Sequence, residues 1–84
     1  MIDRNVHVDA DEIDLIVREG RSLVAVEVKC STSGGDPLEA VDDAKFGRLV
    51  RAVVGHHDRI DRIDLVAVRT TPELVELRWL RGVW

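Results

Sequence analysis

The sequence predicts a single α/β domain in which one main helix packs on one face of a mixed sheet, in the order β-β-β-α-β-β. Its 84 residues, 45% of them hydrophobic, are enough for one small core and too few for two domains. Val, Leu and Ile supply most of this apolar content, which favours strands. One longer segment has instead the periodicity of an amphipathic helix. We therefore treat residues 1–84 as one domain.

The first three strands are predicted around a hairpin. Two aliphatic runs, Ile13 to Val17 and Leu23 to Val28, flank a short polar segment in which Gly20 suits the positive φ of a tight turn. Residues 5–9 alternate weakly between polar and apolar side chains, so we expect an edge strand before the hairpin. The chain therefore begins β-β-β.

One helix is predicted from Leu38 to about His56. It follows a segment rich in Ser and Gly, and an Asp36-Pro37 pair that suits the N-cap and the first helical position. Its apolar stripe comprises Leu38, Val41, Leu49, Ala52 and Val53. Gly55 and the polar residues after it end the helix. We interpret the two adjacent histidines there as diverging side chains that meet the helix dipole, and not as metal ligands.

Two further strands complete the predicted sheet. Residues 63–69 form another aliphatic run, and residues 74–80 alternate apolar and charged side chains after a turn at 70–73. Val24, Val26 and Val28 point to one side of their strand while Leu23 and Ala25 point to the other, so both faces begin apolar. One helix covers only one of them. We expect a homodimer, or another covering chain, on the open face.

Charge and targeting features exclude several classes of protein. The net charge of −4 argues against a protein that holds nucleic acid by bulk charge alone. There is no run of about 18 apolar residues and no signal-peptide pattern at the start, so we expect a cytoplasmic protein with no membrane partner. The single cysteine excludes an internal disulfide framework.

Two acids and a lysine form the candidate site. Glu27 and Lys29 share one side of an otherwise aliphatic strand, which is costly unless they are exposed, paired or bound to a ligand. A two-residue turn at positions 19–20 would place Asp14 opposite Ala25 and diagonal to Glu27. A four-residue loop would place Asp14 directly opposite Glu27. Either register brings the two carboxylates to one face, which Glu12 shares.

Paired carboxylates of this kind suit Mg²⁺ or Mn²⁺. In phosphodiester hydrolysis such a metal polarises the phosphate and lowers the pKa of a bound water, while Lys29 orients that water or stabilises the developing charge. The alternative is a solvated strand end where Glu27 and Lys29 form an ordinary ion pair. For the Glu-x-Lys pair taken alone this alternative is the stronger one, and the aliphatic context and the upstream acid narrow the difference between the two interpretations.

Polar residues inside the apolar stripe of the helix add a second observation. Asp42 and Lys45 lie between Leu38 and Leu49 rather than on the polar side. One interpretation is a local contact between them, with the lysine ammonium reaching water. In the other, Lys45 reaches the carboxylate site or a substrate phosphate. The sequence leaves both open.

Three segments carry a resemblance to a known family: residues 12–16 (EIDLI), residues 26–29 (VEVK), and residues 35–42 (GDPLEAVD) followed by Lys45. In this order and spacing they resemble the YraN-like proteins, uncharacterised bacterial relatives of Holliday junction resolvases in the PD-(D/E)xK nuclease superfamily. The resemblance extends from about Asn5 to Trp84. It implies a restriction endonuclease-like fold with Asp14 and Glu27 as metal ligands and Lys29 as the catalytic lysine.

The resemblance also implies a function, namely a metal-dependent DNA endonuclease of repair or recombination that acts on branched or structured DNA. Arg48 and Arg51 are candidates for phosphate contacts, and Glu12, Asp42 and Lys45 for supporting roles. Family members usually begin with a helix carrying a further acid, which we expect to be absent here, and they have glycine where this chain has Asp11. These departures bear on activity more than on fold. The competing hypothesis is a non-catalytic nucleic-acid-binding or dimeric interaction module that keeps the nuclease fold.

Overall fold

The computed structural model describes residues 2–31 and 43–84. Its elements are β1 (Asp3–Val8), β2 (Asp11–Glu19), β3 (Ser22–Ser31), α1 (Asp43–Gly55), β4 (Arg62–Thr70) and β5 (Val75–Leu80). This order confirms the predicted β-β-β-α-β-β arrangement. The predicted helix start at Leu38, with its cap, lies outside the described residues. Within the described ranges, no helix is both long and apolar enough to cross a membrane.

The five strands form one mixed sheet in the order β1-β2-β3-β4-β5. All neighbouring pairs are antiparallel except β3 and β4, which are parallel. A parallel pair requires a crossover connection, and α1 lies in that connection, packed on the side of the sheet that β1 and β2 form. The predicted α/β class is therefore confirmed.

The β2–β3 hairpin has a two-residue turn, Gly20-Arg21, because Glu19 pairs with Ser22. Gly20 has a φ of +59°, as hairpin turns of the primed types require at this position. The turn lies one residue later than the two-residue alternative derived from the sequence. The register pairs Leu15 with Val26, so Asp14 and Glu27 are the next residues of the two strands on the side away from the turn.

The main core lies between α1 and the sheet. Its buried residues are Ile13, Ile16, Ala25, Leu49, Ala52, Val53, Ile60 and Ile63. Leu49, Ala52 and Val53 belong to the predicted apolar stripe of the helix, which is confirmed for this described part. Full burial of one such aliphatic side chain contributes roughly 1.5–3 kcal/mol, so this stripe holds α1 on the sheet.

The opposite face of the sheet is more closed than expected. A second buried cluster consists of Val24, Val26 and Val66, with Leu15, Val17, Val28 and Val68 packed around it. Val24 and Val26 are 0% and 1% exposed, and apolar side chains of β2, β3 and β4 pack against them. The large exposed apolar side chains near this face lie instead on the edge strand β5, at Val75, Leu77 and Trp79. The expectation of a wholly open face was wrong at its centre.

A buried carboxylate fastens β5 and the following residues to β4. Asp64 is 0% exposed, and its oxygens accept hydrogen bonds from Arg62 Nε (3.0 Å), Trp79 Nε1 (2.9 Å) and the Gly82 amide (2.8 Å). Burial alone would raise the pKa of Asp64, but the hydrogen bonds from Arg62, Gly82 and Trp79 outweigh it and lower the pKa. The Val83 amide also donates to the Ile63 carbonyl at 2.9 Å.

Candidate active site

Most of the candidate residues line one cleft, about 300 Å³ in volume, between α1 and the sheet. The lining residues are Ala10, Asp11, Glu12, Glu27, Lys29, Lys45, Phe46, Arg48 and Leu49. Its acids all come from the strands, whereas two of its three bases, Lys45 and Arg48, come from α1. One wall of the cleft is therefore mainly acidic and the other basic.

An interruption in β2 positions Asp14. Ile13 and Ile16 are both buried in the helix-side core although they are three residues apart, so the regular alternation of the strand breaks between them. Asp14 lies at this break, and its Oδ2 accepts a hydrogen bond from the Val28 amide at 2.9 Å. A side-chain oxygen thus takes the place of a backbone acceptor on β2. The hydrogen bond holds the Asp14 carboxylate against β3.

The Glu27 carboxylate lies between an acid and a base. Its side chain is 16% exposed, and Lys29 Nζ is 3.2 Å from its Oε1. Burial is the first cause that raises the pKa of Glu27, and the negative charge of Asp14 is the second, while Lys29 acts in the opposite direction. The net direction is upward. The charged form of Glu27 is therefore less favoured than that of an exposed glutamate.

On the helix side, Lys45 is exposed and lines the same cleft as Glu27 and Lys29. This location agrees with the interpretation in which Lys45 faces the carboxylate site. The alternative contact with Asp42 involves a residue outside the described ranges, as does the supporting role expected for Asp42. Arg48, which lines the cleft, is suitably placed to meet a phosphate there.

Arg51, the other arginine expected to contact phosphate, binds Asp11. Arg51 Nε lies 2.9 Å from Asp11 Oδ2, and Arg51 Nη2 lies 3.2 Å from Asp11 Oδ1. The hydrogen bond from Arg51 is the largest influence on the pKa of Asp11, which is lowered. This bidentate pair joins α1 to the start of β2. The sequence identified Asp11 only as a departure from the glycine usual in the family, because a partner 40 residues away leaves no local signal.

A second group of possible ligands lies at the end of α1. Ligand atoms of His56, His57 and Asp58 all lie within 4.8 Å of one another. The two imidazole rings stack with their centroids 4.3 Å apart, so the expectation that they diverge was wrong. The Nδ1 of His56 already accepts a hydrogen bond from the Asp58 amide, and the side chains of His57 and Asp58 are largely exposed. These features fit a solvated helix end.

The fold and the cleft define a class of small α/β domain in which a mixed sheet presents paired carboxylates and a lysine beneath a basic helix. The family model described as "Uncharacterised protein family UPF0102" matches residues 1–68, and the chain belongs to this family. The resemblance to the YraN-like proteins is thereby confirmed.

Relatives from distant bacteria share this family. The UPF0102 protein of Beutenbergia cavernae is 41% identical over 92 residues, which cover 99% of this chain and 78% of the relative. Those of Chromohalobacter salexigens and Thermotoga maritima are 35% and 33% identical over all of this chain, and the matches cover 74% and 79% of their lengths. None of these names states an activity, so the relatives support the family assignment alone. A function has to be argued from the chemistry of the cleft.

Proposed function

We propose that this chain is a metal-dependent nuclease domain that holds Mg²⁺ or Mn²⁺ at Asp14 and Glu27 and hydrolyses phosphodiester bonds in DNA. The observation that carries the proposal is that Asp14 lies beside Glu27, and that Glu27 and Lys29, 3.2 Å apart, line a cleft whose other wall is basic. Asp14 adjoins this cleft through Glu27 and is not one of its lining residues. Each part of this arrangement has a role in phosphodiester hydrolysis.

The donor set fits a hard divalent cation. Two neighbouring carboxylates offer oxygen ligands of the kind that Mg²⁺ and Mn²⁺ prefer. The raised pKa of Glu27 reflects burial and the crowding of negative charge, which a bound cation would relieve. When bound, the metal supplies polarisation of the phosphate and a water of lowered pKa.

The remaining residues act on the substrate. Lys29 is 27% exposed beside Glu27, so its ammonium can turn into the cleft and meet an attacking water or the charge that develops on phosphorus-bound oxygen. Lys45 and Arg48 on α1 would hold the phosphate backbone against the acidic wall. The family's relationship to resolvases favours DNA, and branched or structured DNA in particular, as the substrate class.

A non-catalytic module that binds nucleic acid is the competing function. The ion pair between Glu27 and Lys29 favours it, because such pairs are ordinary features of strand ends. In this case the carboxylates would not bind a metal ion, and the basic wall of the cleft would bind phosphate without cleavage.

Metal binding is tested by thermal unfolding with and without Mn²⁺. A ligand that binds only the folded state stabilises by about 2.7 kcal/mol at a hundredfold excess over its Kd, so we expect a saturable rise in Tm. Asp14→Asn, which keeps an oxygen acceptor for the Val28 amide, and Glu27→Gln should abolish that rise. Glu73→Gln, at an exposed acid in the turn before β5, is the matched control and should keep it.

Catalysis is tested separately by cleavage of nicked, branched and single-stranded DNA. Lys29→Met should keep the Mn²⁺-induced rise in Tm and slow cleavage by about 10²- to 10³-fold, as the loss of one charge-stabilising group does in other enzymes. Arg59→Met removes a positive charge that is 92% exposed outside the cleft and should cleave normally. DNA binding without metal-induced stabilisation or cleavage would reject the nuclease proposal in favour of the non-catalytic module.

A further inference from the structure

Among the residues that the structure describes, strand β5 forms an edge of the sheet, with β4 as its neighbour on one side. Unpaired edge strands offer a row of backbone donors and acceptors to another chain, and proteins usually protect them with proline, lysine or a bulge. Between Val75 and Leu80 the chain has no proline, glycine or lysine. Its pairing with β4 is continuous over all six residues. The edge is therefore regular and suited to further pairing.

From Val75 to Trp79 the side chains of β5 alternate between an apolar face and a charged face. Val75, Leu77 and Trp79 are 66%, 62% and 49% exposed, and they lie opposite Thr70, Val68 and Val66 of β4. Glu76 and Arg78 project to the other face, in register with Arg69 and Ala67. The exposed apolar stripe thus continues the buried valine cluster out to the edge of the sheet.

We propose that β5 pairs antiparallel with β5 of a second copy of this chain, with Leu77 on the twofold axis, so that two five-stranded sheets become one. In this register Glu76 of each copy lies opposite Arg78 of the other, which gives two ion pairs across the interface. On the other face Val75 lies opposite Trp79, and the two Leu77 side chains meet at the axis. The strand is therefore complementary to itself in both charge and shape.

Neighbouring registers lack this complementarity. A twofold axis perpendicular to the sheet keeps the faces of the two copies aligned, so a residue must lie on the axis. Moving the axis to the next residue shifts the pairing by two residues. An axis at Glu76 or at Arg78 places two like charges directly opposite each other, which destabilises an antiparallel pair. The axis at Leu77 avoids this repulsion and uses the most residues of the strand.

The contacts within each copy extend the proposed ion pairs. Glu76 already forms an ion pair with Arg69 of β4. Arg78 of the second copy would approach the same carboxylate from the other side, so that each Glu76 lies between two guanidinium groups. Carboxylates accept several hydrogen bonds at once, so the existing pair need not break. The homodimer expected from the sequence was to cover the open face of the sheet, whereas the dimer proposed here joins two sheet edges. Its interface is independent of the proposed nuclease activity.

The first test is sedimentation velocity of the full chain up to high-micromolar concentration. We expect a reversible dimer for the wild type and a monomer for Leu77→Lys, which places two ammonium groups on the axis. Val54→Lys is the matched control, since Val54 is an aliphatic residue of α1 that is 69% exposed. It should dimerise like the wild type. A monomeric wild type, or equal dimerisation of both folded lysine variants, overturns the proposal.

The second test exchanges the charges. Glu76→Arg and Arg78→Glu should each raise the dimer Kd by at least about tenfold, because each variant opposes like charges twice. An equimolar mixture of the two variants restores opposite charges at both positions and should dimerise as the wild type does. Circular dichroism checks that each variant is folded before mixing. Two folded variants that stay monomeric together, or that dimerise alone, contradict the assigned register.

Discussion

Asp14 and Glu27 lie next to each other on β2 and β3. The Oδ2 of Asp14 accepts a hydrogen bond of 2.9 Å from the amide of Val28, the residue after Glu27. The hydrogen bond fixes one carboxylate where it repels the other. Burial of Glu27 and the charge of Asp14 together raise the pKa of Glu27, against the opposing influence of Lys29. Removal of the Glu27 charge would relieve this repulsion and keep the hydrogen bond that Asp14 accepts.

We therefore expect Glu27→Gln to stabilise the metal-free protein at neutral pH. The substitution removes a like-charge pair across two strands, and its benefit should be up to about 1 kcal/mol. The Lys29 ammonium loses its partner but is 27% exposed and can turn to water. Thermal unfolding in the presence of a chelator measures the effect, with Glu73→Gln as the control. A lower Tm for Glu27→Gln would show that the ion pair with Lys29 outweighs the repulsion.

The two arginines of α1 should differ in DNA binding. Arg48 lines the cleft, whereas Arg51 makes a bidentate ion pair with Asp11. Arg48→Ala should weaken binding and reduce the slope of log K against log salt by about 0.9. Arg51→Ala should leave that slope unchanged and lower Tm slightly, because it releases α1 from the start of β2. Fluorescence anisotropy at several salt concentrations measures both, and an equal loss of slope would place Arg51 on the phosphate as well.

The element order was predictable because its signals are local. The aliphatic runs form β2, β3 and β4, and the alternating segment after residue 74 forms β5. These signals lie within each segment, so they predict a strand without knowledge of its neighbours in the sheet. Gly20 correctly located the hairpin. The exact turn did not follow, because Gly20 can occupy either central position of a primed turn, and only pairing with β3 decides between them.

The candidate site was predictable in composition but not in geometry. The sequence brought Asp14, Glu27 and Lys29 together through the hairpin, and the structure places them side by side. The break in β2 at Asp14 could not be read from the sequence, because alternation alone does not reveal where a side chain replaces a backbone acceptor. The pairing of Asp11 with Arg51 was also missed, because it depends on how α1 lies over the sheet.

Asp64 should be the polar residue whose loss costs most stability. Asp64→Asn keeps the size of the side chain, but an amide cannot accept from Arg62, Trp79 and Gly82 together. One buried donor is left unsatisfied and Arg62 loses its carboxylate, so we expect a loss of about 2–3 kcal/mol at neutral pH. Urea unfolding measures it, with Asp58→Asn, at an exposed acid, as the control. A loss no larger than that of the control would contradict this role.

The same carboxylate should contribute to acid unfolding. The pKa of Asp64 is lowered from its ordinary value of 3.8, so the folded state binds the proton less readily than the unfolded state. Its stabilisation is therefore complete above the ordinary value and is lost as the pH falls through the lowered one. The stability difference between the wild type and Asp64→Asn should shrink below about pH 4. A difference that stays constant down to the acid transition would show that the shift is absent.

Two glycine substitutions of the same kind should have opposite effects. At both Gly20 and Gly47, an added Cβ would meet no tertiary neighbour within 4 Å, since only adjacent residues and, at Gly47, the backbone of α1 itself are near, so packing does not distinguish them. Gly20 has a φ of +59°, and an alanine there should cost about 1 kcal/mol of backbone strain. Gly47 lies within α1, where alanine should gain roughly 0.5–1 kcal/mol.

Urea unfolding of Gly20→Ala, Gly20→Asn and Gly47→Ala measures these effects. Asparagine tolerates positive φ better than alanine, so Gly20→Asn should fall between the wild type and Gly20→Ala. Because the turn sets the register that brings Asp14 beside Glu27, the Mn²⁺-induced rise in Tm should be kept wherever the hairpin keeps its register. Equal changes for Gly20→Ala and Gly47→Ala would mean that the turn relaxes to another conformation. If Gly20→Ala alone also lost the Mn²⁺-induced rise in Tm, the changed turn conformation would extend to the pair Asp14 and Glu27.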